Sequence, residues 1–498
     1  MNHRVTSVAE MKQLDQLTII KKGIDSFDLM HFASERMVDY VLYNQLVSKD
    51  QMIVIVCGPG NNGGDGLVIF ECLNQLGFHV EAFVVDQPNR YTREVKQQLD
   101  RLKMKSIQVH KINNQTILDL KNTILHAHII IDALLGIGLN RPCEPIYCDI
   151  IDVINDASKT VISVDIPSGL HANNGHIMNH CVVATHSLVV GAFKYGNLMA
   201  DALDVSGQLH FIDIDIMTDS LRERTYSAKP LYFSNHPRKH HTHKYHYGHV
   251  LVVGGHSSMM GSIGLTSLGA LRGGAGLVSV ATYGDYGEFF RELPLEVMTL
   301  TYQDIQTLLQ LFSKKDAVVY GMGVSKNTQP VDVVSQLIVS NIPCVIDADG
   351  IEHLSKINIE DYQDKHIVLT PHMKELSTLL HIPFQELIQD PITYVESFVK
   401  GTNLVIVLKG PCTIIASDKK TVFIQAGNPG LATAGTGDVL AGIIGSMIAQ
   451  KKDIFLASLI AVEIFSIAAN LACNQMGERS MIASDVIACL PEAFKQRT

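Results

Sequence analysis

Short apolar runs alternate with segments of helical period along the N-terminal part of the chain. Residues 52–57, 80–85, 128–132, 160–165 and 187–190 read as strands, and 67–76, 92–102 and 146–154 carry helical spacing. Strands alternating with helices at this spacing predict a parallel, doubly wound sheet. Between Met217 and Lys244 the composition turns charged and His-rich and includes Pro230 and Pro237, which marks a domain boundary. From His249 the pattern restarts as VLVVGG, LVSVAT, AVVY, PCVIDAD, IVLTPH and LVIVLKG. Hairpin-like strands follow at CTIIAS and TVFIQA, and three helices close the chain. No repeat relates the halves, so two unrelated α/β domains are expected, at residues 1–218 and 226–498.

Composition sharpens this. With 46% hydrophobic and 18% charged residues, both halves can bury a core. A net charge of −10 without a long basic run argues against general affinity for nucleic acid or an anionic membrane. Nine cysteines with no CxxC pair read as reduced thiols of a cytoplasmic protein. The opening MNHRVTSVAEMKQLDQ has no apolar signal core. Residues 454–473 are apolar enough to raise a transmembrane question, but Glu463 at their middle predicts a buried helix.

The segment VIVCGPGNNGGDGLVIF sets a Gly-rich loop between a strand and a helix. Gly58, Gly60 and Gly63 satisfy GxGxxG and Asp86 ends the next strand, so a nicotinamide dehydrogenase is one reading. Asp65 opposes it, because a carboxylate at the helix entrance repels a pyrophosphate. A plain capped turn is another reading. Two further strand ends favour a site: Asp132 opens DALLGIGLNRP and Asp165 opens DIPSGL. Carboxyl ends of parallel strands converge on one crevice, where Asn62, Asp132 and Ser168 offer oxygen ligands to a cation.

GNNGGDG, DALLG and DIPSGL, in this order, resemble the N-terminal domain of NAD(P)H-hydrate epimerases, over about Met11 to Ile216 and including Met11–Asp15, Leu29, Met30 and Lys194. The resemblance implies a Rossmann-like domain that interconverts the R and S hydrates NADHX and NADPHX. It places potassium on Asn62, Asp132 and Ser168. It assigns hydrate contacts to Asn61, Asn62, Gly63, Gly64 and Asp65, to Gly136, Ile137, Gly138, Leu139, Asn140, Arg141 and Pro142, and to Asp165. The C6 hydroxyl of a hydrated nicotinamide is a hemiaminal, so acid-assisted loss leaves an iminium to which water can return, and Asp165 can serve as acid and then base. The family's LMExAG reads LMHFAS here. His31 and Ser34 are thus departures, expected to touch a helix contact of a homo-oligomer more than the site.

In the second half, Gly435-Thr436-Gly437-Asp438 opens a long apolar helix whose free N–H groups face an anion. An Asp there can take a proton from a hydroxyl while the N–H groups hold a phosphoryl group. An ordinary helix cap is the plain alternative. TPHMKE from Thr370, KGPCT from Lys409 and DADGI from Asp347 accompany it, as do HKYHYGHVLVVGG, LRGGAGLVSVAT, LPLEVM and ASD. The set resembles the ribokinase-like superfamily, in particular ADP-dependent NAD(P)H-hydrate dehydratases, from about Ala228 onward. That implies Asp438 as the base, Lys409, Gly410, Pro411, Cys412, Thr413 and Gly437 on the nucleotide, and Ser262, Gly323, His372 and Asp438 at the hydrate, with magnesium accompanying ADP.

Ser262 replaces a usual Ala, GMGVS with Ser325 replaces GPGLG, and Phe465 stands where His is expected. His240, His241, His243 and His246 read as linker residues. A vitamin or sugar kinase using ATP, with a non-catalytic N-terminal binding module, is the competing function. Intact Asn62, Asp65, Asp132, Asp165 and Ser168 oppose a degenerate module.

Overall fold

The computed structural model describes residues 3–217, 222–227, 238, 240–256, 258–284, 293–324, 332–425, 427–450 and 452–496. Ser325, Pro230 and Pro237 lie outside the described residues. The chain divides into two compact units, His3–Leu221 and Arg222–Thr498.

In the N-terminal unit β1 (His3–Thr6) runs parallel to β8 (Phe193–Lys194). The main sheet joins β2 (Met52–Cys57), β3 (His79–Val85), β4 (His110–Ile112), β5 (Ile129–Ala133), β6 (Thr160–Val164), β7 (His186–Val190) and β9 (Gln208–Ile212). Its order is β4-β3-β2-β5-β6-β7-β9, all parallel. The sequence turns direction between β2 and β5, the place where open α/β sheets leave a crevice. Both faces are covered, which is why β2 is apolar throughout. Ile53, Ile55 and Cys57 pack under helices Ser26–Tyr43 and Asn61–Gln75, and Val54 and Val56 under Pro145–Asp156. The strands β4 and β9 carry no apolar run of their own and are set by pairing with β3 and β7.

The C-terminal unit begins with β10 (Glu223–Ser227), so the expected start at residue 226 cuts through a strand. Its sequence, ERTYS, has no strand signature; parallel pairing with β19 holds it there, and Arg224 meets buried Glu396 at 2.7 Å. The remaining strands are β11 (His249–Val253), β12 (Leu277–Tyr283), β13 (Val297–Tyr302), β14 (Ala317–Tyr320), β15 (Cys344–Ile346), β16 (Ile367–Leu369), β17 (Val405–Leu408), β18 (Cys412–Ala416) and β19 (Lys420–Gln425). The order is β13-β12-β11-β14-β15-β16-β17-β18-β19-β10, antiparallel only at β17-β18-β19.

Helices Met260–Arg272, Thr436–Ala449, Ile454–Met476 and Ala483–Lys495 close over one core. Two of them meet backbone to backbone. A Cβ on Gly269 would lie 2.5 Å from Val439 O, and one on Gly442 would lie 2.1 Å from Thr266 O. Glycine at both positions therefore fixes Met260–Arg272 against the helix that carries Asp438. Ile454–Met476 is long and apolar enough to cross a membrane, yet it belongs to this core, with Glu463 at 4% and Phe465 at 7% exposure. All nine cysteines are free.

Candidate active sites

The first site forms where β2, β5 and β6 end. The chain leaves β2 through Gly58–Gly60 only, and the remaining Gly-rich residues are already helix, since Asn61–Gln75 starts at Asn61. A Cβ on Gly63 would sit 1.9 Å from Gly58 O, so glycine lets the helix start directly on the strand end. A cavity of about 760 Å³ opens there, lined by Asn61, Asn62, Asp65, Asp165 and the whole stretch Gly136–Pro142. Gly63 and Gly64, expected to touch the ligand, are instead buried behind the wall against Gly58 and Met30. Asp86, which a dinucleotide-binding reading would give to a ribose, pairs with Lys111 at 3.1 Å outside this lining.

Ser168 and Asn62 meet at Leu135, and Asp132 reaches them through Ser168. Asp132 is fully buried and lies level with Val56 and Ser163 in the ladder. Its Oδ1 accepts from Ser168 Oγ at 2.6 Å and Leu134 N at 3.2 Å, and its Oδ2 from Ser163 Oγ at 2.8 Å and Ser168 N at 2.9 Å. Burial raises its pKa, and these donors pull it back. Leu135 N donates to Ser168 Oγ at 2.7 Å, and Leu135 O accepts from Asn62 Nδ2 at 3.2 Å and lies 3.1 Å from Ser168 Oγ, whose one proton goes to Asp132.

Asp165 follows β6 with a left-handed backbone, φ +65°. Its carboxylate pairs with Lys194, whose side chain is fully buried, and accepts from Val190 N at 3.0 Å. Asp15 and Asp65 complete the group. Burial pushes Asp15 up to about 6, Lys194 opposing and Asp165 assisting. Burial also lifts Asp65 well above the carboxylate range; the Ser34 hydroxyl, 3.2 Å away, lowers it, and Asp165 and Asp15 raise it. Ser34 is fully buried against this site. The LMHFAS departure thus reaches the cavity, contrary to expectation, because the helix Ser26–Tyr43 packs on Asn61–Gln75. His31 bonds Gln98 at 3.0 Å.

The second site centres on Asp438 in the first turn of Thr436–Ala449, capped by Gly435 at φ +90°. Its pKa is raised to about 7 by burial and by Asp347; the Ser262 hydroxyl bond and Lys409 lower it, and Glu375 raises it. Lys409 Nζ donates to buried Asp347 Oδ1 at 2.6 Å and lies 3.8 Å from Glu375 Oε2. Burial pulls the Lys409 ammonium down, but Asp347, Glu375 and Asp438 outweigh it and raise its pKa. A Cβ on Gly437 would be 3.3 Å from Lys409 Nζ, so glycine keeps the helix start open to that ammonium. His372 caps helix Met373–Leu380, with Nδ1 accepting from Lys374 N and Glu375 N, and pairs in parallel with Lys409. Gly323 has φ +63° and packs on Met259 O beside the helix that carries Ser262.

Gly410 and Pro411 are exposed at the β17–β18 turn. Cys412 and Thr413 are buried in β18, and burial pushes the Cys412 thiol up to about 12, so that residue offers a ligand its backbone only.

A family described as NAD(P)H-hydrate dehydratase matches residues 250–492, and one described as YjeF-related protein N-terminus matches 26–196. The bifunctional NAD(P)H-hydrate repair enzyme Nnr of Thermofilum pendens is 30% identical over 99% of this chain and 96% of its own length. That of Escherichia coli is 31% identical over 88% of this chain and 84% of its own length. The chain belongs to the bifunctional NAD(P)H-hydrate repair enzymes. A solved ADP/ATP-dependent NAD(P)H-hydrate dehydratase from Bacillus subtilis, co-crystallized with ATP/Mg2+, is 26% identical over 54% of this chain and 99% of its own, with TM-score 0.49.

Within a repair enzyme, four residues at the two sites carry no role in the sequence reading: Asp15, Lys194, Asp347 and Glu375. Each sits in a motif that the resemblance singles out. Lys194 could have been found as the one cation in the apolar run LVVGAFKYG, and Asp347 as a carboxylate ending an apolar strand.

Proposed function

We propose that the N-terminal unit interconverts R- and S-NAD(P)HX and that the C-terminal unit dehydrates the S form to NAD(P)H with ADP, giving AMP and phosphate. One observation carries the reading. In each unit, helix and strand ends gather carboxyls around one lysine, Asp165 at Lys194, and Asp347 at Lys409 with Asp438 within its electrostatic reach, and in each a second carboxyl lies close enough to shift its neighbour. Such groupings prepare proton transfer at neutral pH. Relatives that match both halves disfavour a kinase with an idle N-terminal module.

In the epimerase unit Asp165, paired with Lys194, faces the hydrate and moves the proton of the C6 hydroxyl or of the returning water. Potassium fits Asn62, Asp132 and Ser168. The set is an amide, a hydroxyl, one carboxylate and the Leu135 carbonyl, which carries a single negative charge and suits a monovalent ion. Such an ion would draw DALLG and DIPSGL together and so shape the wall that orients the substrate.

In the dehydratase unit Asp438 takes the proton of the C6 hydroxyl as that oxygen attacks the β-phosphorus of ADP. Backbone N–H groups from Gly437 onward receive the phosphoryl charge, and Gly410–Thr413 hold the nucleotide through main chain. Phosphate departs with the C6–O electron pair and takes up the C5 proton, and the C5–H pair forms the double bond. Asp347 and Glu375, beside Lys409, would hold a magnesium ion accompanying ADP, which would balance phosphate charge there. Ser262, Gly323 and His372 are assigned to the hydrate. Incubating the protein with NADHX and either ADP or ATP, and following NADH absorbance, tests the reading. Recovery with neither nucleotide would remove it, and much faster recovery with ATP would correct the phosphoryl donor.

A further inference from the structure

Helix Val8–Lys22 presents Met11, Asp15 and Ile19, one turn apart, to the wall of the N-terminal cavity. Asp65 and Asp165, which come from a helix start and a strand end, line the same cavity. Lys12 and Glu94 stand on the same wall. The three aspartates influence one another, and Lys194 is the cation that acts on them. Their surroundings differ. Asp165 takes the Lys194 ammonium and the Val190 N–H. Asp65 takes the Ser34 hydroxyl. Asp15 feels Lys194 only at longer range, and among the described residues no hydrogen bond shifts its carboxyl. Burial and the Asp165 charge therefore leave it holding a proton up to about pH 6. Two carboxyls lining one cavity, one bonded to a lysine and one kept as an acid by burial, can divide acid from base work.

Inversion at C6 needs a proton carrier on each face of the ring, because the hydroxyl leaves one face and water returns to the other. We propose that Asp15 is the second acid–base group of epimerisation, serving the face of the hydrated nicotinamide opposite to Asp165; the assignment rests on the epimerase reading above. The Asp15 O–H protonates the departing hydroxyl. The C6–O bond breaks, its electron pair leaves with the new water, and the N1 lone pair forms the C6=N1 iminium bond. A water on the other face adds its lone pair to C6, the iminium pair returns to N1, and Asp165 takes the released proton. Asp15 is then ionised and Asp165 protonated, which is the starting state for the reverse direction. Exchange with solvent in the cavity restores the first state.

The test uses the full chain in H2(18)O at pH 6, with each NADHX epimer, measuring inversion by chromatography and label at C6 by mass spectrometry against an enzyme-free control. Asp15→Asn should slow inversion by about 10²–10⁴-fold. Label should still enter one epimer faster than it inverts, because Asp165 alone serves one face. Asp165→Asn should give the same split in the other epimer, and Asp15→Glu should recover part of the inversion. Inversion and exchange falling together, or inversion within a few-fold of wild type, overturns the proposal. Should Asp15→Asn lose its fold, the wild-type profile decides. Inversion in the direction that uses Asp15 as acid should decline as pH rises past about 6, and a flat profile from about pH 5 to 8 overturns the assignment. A wild-type chain that never epimerises removes the epimerase reading and this proposal together, whereas wild-type rates in Asp15→Asn remove the proposal alone.

Discussion

Ser34 Oγ donates to Asp65 Oδ1 at 3.2 Å, tying helix Ser26–Tyr43 to the start of helix Asn61–Gln75 at the N-terminal cavity. The hydroxyl lowers a pKa that burial raises more strongly, so the Asp65 carboxyl remains well above the usual carboxylate range.

Burial that favours the protonated form of Asp65 predicts tolerance of a neutral isostere. Asp65→Asn keeps size and shape, so epimerisation should stay within about 3-fold of wild type, a change of well under 1 kcal/mol. Asp165→Asn should behave differently, since it strands the fully buried Lys194 ammonium. Leaving a buried charge unpaired typically costs about 3–5 kcal/mol, so this variant should melt lower as well as lose turnover. Steady-state rates and melting curves of the two variants, side by side, check the contrast. Equal damage from both would mean that Asp65 works as an anion.

Asp132 is too deeply engaged for a clean truncation. Four donors converge on its carboxylate, and Asp132→Ala would leave buried hydroxyl and N–H groups unsatisfied, at about 1–3 kcal/mol each. The cation assignment is better tested from the solvent side. If Asn62, Asp132 and Ser168 hold a monovalent ion, replacing potassium by choline should slow epimerisation, lower the melting point of the N-terminal unit and leave dehydration unchanged. Asn62→Ala should raise the potassium concentration needed for half-maximal epimerisation. Indifference of both rate and melting point to potassium would remove the ion.

Lys409 approaches Asp347, Glu375 and Asp438 rather than solvent, so its loss should register in chemistry more than in nucleotide affinity. It lowers the Asp438 pKa, which already stands at about 7. Lys409→Met should raise that pKa, leave less ionised base at pH 7, cut dehydratase turnover by about 10-fold there and shift the rising limb of the profile to higher pH. A change confined to KM for ADP, with the profile unmoved, would return Lys409 to plain nucleotide binding.

The strands on which both sites rest were legible because their apolar runs are local: MIVIVC, HVLVV and VIVL announce themselves. So did the carboxyls that end strands, since an Asp closing an apolar run has few structural reasons to be there. Strands β4, β9, β10 and β13 were not legible, because partners distant in sequence define them. Asp15 and Ser34 escaped for a related reason. Each is a polar side chain on a helix, where it reads as surface, and packing of that helix over the strand ends turns it inward. The GxGxxG match misled in the opposite direction. Its glycines serve a helix start pressed on a strand end, and the residues facing the cavity are Asn61, Asn62 and Asp65.

Asp438 links activity to stability in a way that depends on pH. Its folded-state pKa, raised to about 7, exceeds the unfolded value of about 4. Between those values the native protein keeps a proton that the unfolded chain has released. The stability this group contributes is full below about pH 4 and is lost as pH rises through about 7. Asp438→Asn abolishes that loss, and it strands no partner because Lys409 keeps Asp347 and Glu375. A three-unit shift would correspond to about 4 kcal/mol, which partial exposure reduces to the order of 1–2 kcal/mol. The variant should therefore melt higher than wild type by roughly 2–6 °C at pH 8 and by much less at pH 5. Its dehydratase turnover should fall by about 10²–10⁴-fold, and epimerisation should be unaffected. Melting curves of both proteins at the two pH values, with turnover measured in parallel, decide it. A variant no more stable than wild type at pH 8, or one that still dehydrates within a few-fold of wild type, would show that Asp438 is an ordinary helix cap and not a strained base.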